Sequence, residues 1–165
     1  MIFVIKTIIK YFLIPFGILL AVLNRSKNEI LVLMYHRIDN GVKKELGVSV
    51  RDFCWHMNYL YKKKFNVISM DEAYSMISRN AIKGKHIVLT FDDGYKDYYT
   101  NAYPILKKYD FPSIVYVCPG YIDTNKRYWW DRDDKRVQLM SWEDICKLNK
   151  EGLVNFGSHT MNHCD

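Results

Sequence analysis

The sequence predicts an α/β fold with a parallel β-sheet, and two observations lead to this prediction. Short apolar runs alternate along the chain with segments in which apolar residues recur at helical spacing. The length of 165 residues is that of about one domain. Because alternating strands and helices form right-handed βαβ crossovers, the alternation indicates parallel strands with helices packed on the sheet.

Five strands are predicted from the apolar runs. The first run is apolar throughout, which is typical of a strand buried on both faces, and the third is the clearest. The predicted strands are Ile30–Tyr35, Asn66–Ser69, His86–Phe91, Ser113–Val117 and Leu153–Phe156.

Serine residues mark most of the predicted helix starts. Ser69 and Ser141 are each followed by an acidic residue three positions later, as in a capping box, and Ser49 is a candidate N-cap. Pro104 must kink or restart the helical segment that contains it. The predicted helices cover residues 50–63, 70–78, 98–109 and 142–149, and residues 118–140 form a long loop.

Residues 1–27 are predicted to be a membrane anchor or signal segment outside the fold. The uninterrupted apolar stretch, Tyr11–Leu23, is thirteen residues long, which suits a signal peptide and is short for a membrane span. No small-x-small cleavage site follows, which favours an uncleaved anchor formed by residues 1–23. We therefore expect the domain, residues 28–165, to be membrane-associated and extracytoplasmic, or secreted if the segment is cleaved.

Charge and cysteine content exclude other classes of protein. Of the net charge of +6, residues 1–27 carry +4, which leaves +2 for the rest and predicts no nucleic-acid partner. The four cysteines form no C-x-x-C pair, so neither a zinc knuckle nor a redox pair is predicted, and small buried side chains are expected.

Reactive side chains follow three of the predicted strands. His36 follows the first strand, Asp92 and Asp93 follow the third, and His159 and His163 follow the fifth. Because the carboxyl ends of parallel strands meet on one rim of a sheet, we expect these side chains to converge.

The convergent residues are typical of a metal site. Adjacent carboxylates after a buried strand repel each other unless a cation lies between them. His159 and His163 have i, i+4 spacing, which directs both imidazoles the same way on a helical turn or a tight loop. Two histidines and one carboxylate commonly bind zinc, and the other carboxylate is then free to accept a proton from water. These residues alone do not decide which aspartate has which role.

Three segments resemble the polysaccharide deacetylase family, which is carbohydrate esterase family four with the chitooligosaccharide deacetylase homology domain. They are Leu89–Gly94 (LTFDDG), Ser158–His163 (SHTMNH) and Met34–Ile38 (MYHRI). The resemblance implies a distorted (β/α) barrel and metal-dependent hydrolysis of N- or O-acetyl groups, through an amide or ester bond, on a polysaccharide or oligosaccharide. It also implies that Asp92 is the general base and that Asp93, His159 and His163 bind a divalent metal, usually zinc.

The chain is similar to the N-terminal part of that domain. A (β/α) barrel typically has about 250 residues, whereas this sequence has five predicted strands and ends at Asp165. In the family, a histidine in a later segment protonates the leaving group. We therefore expect a partial, unclosed (β/α) barrel with impaired turnover.

Other residues near the rim are candidates for substrate binding. Tyr35 and His36 end the first strand, and Trp129 and Trp130 offer rings that stack on sugars, unless they cover the helices of the barrel instead. Asp97 is expected to be a solvated carboxylate.

Competing functions fit less well. A two-histidine, one-carboxylate iron oxygenase has a double-sheet β fold, whereas this sequence alternates strands and helices. A haloacid-dehalogenase-like phosphatase has a D-x-D motif, which the Asp92-Asp93 segment lacks. In the H-x-x-x-H segment, Thr160 stands where H-E-x-x-H metalloproteases have glutamate. The open alternative is a non-catalytic, membrane-attached carbohydrate-binding protein or an inactive fragment.

Overall fold

The computed structural model describes residues 28–41, 47–134 and 136–163. The predicted anchor or signal segment, residues 1–27, lies outside the described residues. Within the described part of the chain, no helix has the length and apolar character needed to span a membrane.

Strands and helices alternate as predicted. The described strands and α-helices are β1 (Glu29–Tyr35), β2 (Arg37–Ile38), β3 (Gly47–Val48), α1 (Val50–Lys62), β4 (Asn66–Val67), α2 (Met70–Ser78), β5 (Lys85–Phe91), α3 (Tyr103–Tyr109), β6 (Ser113–Val117), α4 (Trp142–Lys150) and β7 (Val154–Ser158).

Five of the strands form one parallel sheet. Its order is β1-β5-β6-β7, and β4 pairs with the beginning of β5. The sheet is unclosed among the described residues, with β1 and β7 at its two ends. The prediction of an α/β fold with parallel strands is confirmed. The short parallel pair of β2 and β3 was not predicted from the sequence.

Serine caps fix the starts of three helices, as the sequence predicts. The hydroxyl oxygens of Ser49, Ser69 and Ser141 each accept a hydrogen bond from a backbone N–H three residues later. At Ser141 the carboxylate of Asp144 also accepts the serine N–H, which completes a capping box. Pro104 lies in the first turn of α3, after a π-helical turn at residues 98–102, so it restarts the helix.

One prediction about the sheet is wrong. Leu31, Val32 and Met34 of β1 are more than half exposed, although the apolar run predicts burial on both faces. β5, by contrast, is buried from His86 to Phe91. The reason is position in the sheet: β5 has paired strands on both sides, whereas β1 is an end strand with one partner.

The main core holds the sheet and helices together beneath the rim. Phe53 and Met57 of α1 pack with Leu89 of β5 and Leu106 of α3, and all four side chains are fully buried. This packing fixes the axis of β5 and therefore the point at which its carboxyl end emerges. Of the described cysteines, Cys118 is buried as expected, whereas Cys54 and Cys146 are exposed and all three are free.

Candidate active site and metal centre

The carboxyl ends of β5 and β7 bring the predicted metal ligands together. Asp93 follows β5, and His159 and His163 follow β7. The three residues each offer one ligand atom, and these atoms lie within 4.8 Å of one another. The Asp93 Oδ1 atom is 3.7 Å from His159 Nε2 and 3.5 Å from His163 Nε2. Ligand atoms 2.0–2.2 Å from one tetrahedral ion are about 3.4 Å apart, so the spacing fits a single cation.

The burial of Asp93 gives a second reason to place a cation there. Its side chain is 2% exposed, and its Oδ1 atom accepts no hydrogen bond from the described residues. Burial raises the pKa of Asp93, and the nearby histidines 36, 163 and 159 act in the opposite direction. A buried carboxylate oxygen without a donor is unfavourable, and a bound cation removes that penalty.

Unusual backbone conformations aim these ligands. The φ angles of Asp93, Thr160 and His163 are +71°, +64° and +52°, in the left-handed region that non-glycine residues rarely adopt. Such conformations persist where the surrounding structure holds them and are common at functional sites. Residues 159–163 form a tight turn, one of the two local structures that the i, i+4 spacing predicts.

Asp92 lies beside the cluster but is not part of it. Its backbone N–H donates a 2.9 Å hydrogen bond to the Tyr35 carbonyl oxygen, which ties the end of β5 to the end of β1. His36, which follows β1, is half-buried and close enough to Asp93 for its charge to affect that carboxyl group. The rim of three strand ends therefore contains both aspartates and His36, as predicted.

The two predicted sugar-stacking tryptophans have different environments. Trp130 is half-buried and packs edge-to-face against the His163 imidazole, with ring centroids 4.8 Å apart. Trp129 is 66% exposed and is turned nearly perpendicular to Trp130. The exposed Trp129 ring is available to a ligand, whereas Trp130 is part of the packing around His163.

Tyr35, another predicted substrate residue, is part of the core. Its ring is stacked on Phe91 and meets Phe53 edge-to-face, and its hydroxyl lies 3.2 Å from His56 Nδ1. Burial raises the pKa of Tyr35 to about 12. These contacts account for Tyr35 without a sugar, and its role in binding substrate stays a prediction.

A buried ion pair and a polar network lie near the strand ends, and neither was predicted from the sequence. Asp97 was expected to be solvated, but its carboxylate accepts hydrogen bonds from Arg37 Nε (2.9 Å) and from the Ile38 N–H (3.1 Å). Tyr95 and Asp131, both buried, are joined by a 2.6 Å hydrogen bond. The one available signal was Arg37, a cation beside the apolar first run, because a buried cation requires a partner.

Comparisons with known proteins agree with this geometry. The sequence model described as polysaccharide deacetylase matches residues 79–165, more than half of the chain, including both the aspartate and the histidine segments. The chain belongs to the polysaccharide deacetylase family. Its relatives include YxkH of Bacillus subtilis, named as a polysaccharide deacetylase, with 36% identity over 135 residues. They also include the poly-β-1,6-N-acetyl-D-glucosamine N-deacetylase of Escherichia coli K12, with 26% identity over 144 residues.

Solved structures share the fold of this chain. IcaB from Ammonifex degensii superposes on 82% of this chain with a TM-score of 0.70 and 29% sequence identity. Streptococcus pyogenes deacetylase PplD superposes on 85% of this chain with a TM-score of 0.70 and 28% sequence identity. The matched part of this chain is 81% for YxkH and 82% for the E. coli enzyme. The chain spans only part of these proteins: 43% of YxkH and 21% of the E. coli enzyme. It spans 54% of the IcaB structure and 60% of the PplD structure.

Proposed function

We propose that this protein removes acetyl groups from a polysaccharide or a cell-envelope glycan by metal-dependent hydrolysis. The observation that carries the proposal is the meeting of Asp93, His159 and His163, which are remote in sequence, at one rim of a parallel sheet. Membership of the polysaccharide deacetylase family supports the reaction class.

Asp93, His159 and His163 would hold a divalent ion. Two imidazoles and one carboxylate form a donor set that suits zinc, so zinc is the ion that we propose. When bound, such an ion supplies Lewis-acid chemistry: it polarises the acetyl carbonyl and makes water more acidic.

Asp92 is proposed as the general base. Asp93 belongs to the ligand cluster and Asp92 does not, although the two are adjacent in sequence. The hydrogen bond from the Asp92 backbone N–H to Tyr35 holds this residue at the rim. Its carboxylate would accept the proton of the attacking water as that water adds to the acetyl carbonyl carbon.

An N-acetyl group on a sugar polymer is the proposed substrate. The E. coli K12 relative is, by name, an N-deacetylase of poly-β-1,6-N-acetyl-D-glucosamine. Trp129 offers an exposed indole beside the site for stacking on a sugar ring, and half-buried His36 is proposed to line the same rim. We also propose that residues 1–23 attach the protein to a membrane on its extracytoplasmic side, where envelope glycans lie.

The test combines metal binding with acetate release. The full chain is stripped with a chelator, titrated with Zn²⁺, and assayed on acetylated chitooligosaccharides, poly-β-1,6-N-acetyl-D-glucosamine oligomers and acetylated xylan. We expect one Zn²⁺ per chain and acetate release from the N-acetylated sugars.

Matched variants separate the outcomes of this test. Asp93→Ala and His159→Ala are expected to abolish binding, whereas Asp133→Ala, at an exposed aspartate, is expected to leave it unchanged. Zn²⁺ retained by both ligand variants would refute the proposed ligand set. Metal and sugar binding without any acetate release would favour the non-catalytic alternative.

A further inference from the structure

We propose that Trp130 is a positioning residue for the metal centre: its indole, locked by Tyr95 and Asp131, fixes the orientation of the His163 imidazole. The inference rests on the metal site of the proposed function and concerns what holds one of its ligands in place.

Within the part of the chain that the structure describes, His163 makes no ring hydrogen bond of the kind that usually orients a metal-binding histidine. Such a histidine generally donates its second ring N–H to a carboxylate or a carbonyl, which fixes the ring. In His163 the Nε2 atom faces Asp93, and the Nδ1 atom is buried without a hydrogen-bond partner among the described residues. Among the described residues, the contacts that can restrain the ring are therefore packing contacts.

Aromatic rings surround the His163 imidazole instead. Trp130 meets it edge-to-face at 4.8 Å and 71°, and Tyr128 at 5.7 Å and 68°. Trp130 and Tyr128 are themselves stacked almost parallel, 4.9 Å apart with an interplanar angle of 4°. Edge-to-face contacts are directional because of the ring quadrupole, so this pair favours one orientation of the imidazole.

Hydrogen bonds in turn lock the Trp130 indole. Its Nε1–H donates to the Tyr95 hydroxyl oxygen at 2.9 Å, and the Tyr95 hydroxyl donates to Asp131 Oδ2 at 2.6 Å. Tyr95 and Asp131 are both buried, so the hydrogen bond between them is shielded from solvent. With the hydroxyl proton committed to Asp131, its oxygen is oriented to accept from Trp130.

The residues that hold Trp130 are also connected to a second proposed ligand, Asp93. Tyr95 lies two residues after Asp93, on the turn that leaves β5. The Tyr128 hydroxyl donates a 2.9 Å hydrogen bond to the carbonyl oxygen of Asp93. Residues 128–131 are therefore tied to the Asp93 turn on one side and pack on His163 on the other, which couples the positions of two ligands.

The experiment uses the full chain and Co²⁺, whose absorption spectrum reports ligand geometry. Trp130→Ala removes the ring and the donor, Trp130→Phe keeps a ring but removes the donor, and Tyr95→Phe removes the acceptor of that bond. Trp129→Ala is the matched control, because Trp129 is the exposed neighbour. Affinity is measured by chelator competition, and the thermal stability of each metal-free variant is measured separately.

We expect Trp130→Ala to weaken Co²⁺ binding by roughly 10- to 100-fold, the range seen when an outer partner of a metal ligand is lost, and to alter the spectrum. Trp130→Phe and Tyr95→Phe should fall between Trp130→Ala and wild type, since a ring still packs against His163. Trp129→Ala should match wild type in affinity and spectrum.

Each contrary outcome has one meaning. If Trp130→Ala and Trp130→Phe melt at lower temperature but keep the wild-type affinity and spectrum, Trp130 is merely structural and the inference is overturned. If Trp130→Ala does not fold, wild-type affinity and spectrum in both Trp130→Phe and Tyr95→Phe overturn it. If the wild-type chain does not bind Co²⁺, the metal site of the proposed function fails first, and that result is distinct from the others.

Discussion

Two turns supply the proposed metal ligands, and they hold these side chains in different ways. Asp93 lies two residues after the end of β5, which is buried from His86 to Phe91, and its side chain is 2% exposed. His159 and His163 lie on a turn at the end of the sheet, and their side chains are 33% and 25% exposed. The carboxylate is positioned by the core beneath it, whereas the imidazoles depend on contacts from neighbouring loops. Substitutions at the Asp93 turn should therefore affect metal binding through the charge and burial of the carboxylate. Substitutions around the histidine turn should affect it through the orientation of the imidazoles.

The largest effect on metal binding is expected from the buried turn. Asp93→Asn keeps the size of the side chain and removes its charge. We expect the loss of affinity for Zn²⁺ to exceed the roughly 100-fold that follows loss of an outer partner, because a ligand itself is lost. Isothermal titration of the metal-free chain measures this, with Asp133→Asn as the exposed control. Affinity within a few-fold of wild type would show that Asp93 is not a ligand.

The same variant should change how the stability of the metal-free chain depends on pH. Burial raises the pKa of Asp93 above its ordinary 3.8, so the folded chain holds this proton more tightly than the unfolded chain does. The contribution of Asp93 to stability is therefore greatest below 3.8 and is lost as pH rises through the raised value. Asp93→Asn should remove that decline in urea unfolding measured across the acidic to neutral range. An unchanged decline would contradict the burial penalty.

A smaller effect on metal binding is expected at Gly120, which contacts the turn that carries His159 and His163. The Gly120 N–H donates a 2.9 Å hydrogen bond to the Met161 carbonyl oxygen. A Cβ at Gly120 would lie 2.6 Å from that oxygen and would also overlap the Asn162 side chain, so Gly120→Ala must displace the histidine turn. We expect a loss of about 1–3 kcal/mol in unfolding free energy, together with weaker Zn²⁺ binding.

Gly84→Ala is the control for Gly120→Ala. Gly84 has a φ of +83° and open space around its Cβ position, so alanine there strains the backbone without touching the site. It should lower stability and leave Zn²⁺ affinity unchanged. Equal Zn²⁺ affinity in the two glycine variants would show that the histidine turn does not depend on Gly120.

The smallest effect on metal binding is expected at Trp129, the exposed ring beside the second turn. Trp129→Ala should leave Zn²⁺ affinity unchanged and raise the KM for an acetylated oligosaccharide by up to about 10-fold, because one aromatic contact contributes about 0.5–1.5 kcal/mol. Steady-state kinetics on oligosaccharides measures this. An unchanged KM would remove Trp129 from the proposed sugar-binding surface.

The sequence predicted the rim because its two motifs directly follow strands. Asp92 and Asp93 end one apolar run and His159 follows another, and parallel pairing then brings them to the same side. The exposure of β1 was not predictable, since an apolar run looks the same in a central and in an end strand. The loop from 118 to 140 has no periodicity, so nothing in the sequence indicated that Trp130 packs on His163 or that Tyr95 bonds Asp131.

X-ray absorption at the metal edge of the Zn²⁺-loaded full chain tests the central claim most directly. One ion held by Asp93, His159 and His163 predicts an oxygen and nitrogen shell at about 2.0–2.2 Å with the outer scattering of two imidazoles. Asp93→Ala, His159→Ala and His163→Ala should each abolish this spectrum, because the ion is no longer bound at the site. A sulfur shell at about 2.3 Å, as a cysteine ligand would give, or a spectrum unchanged in the three variants, would contradict the account.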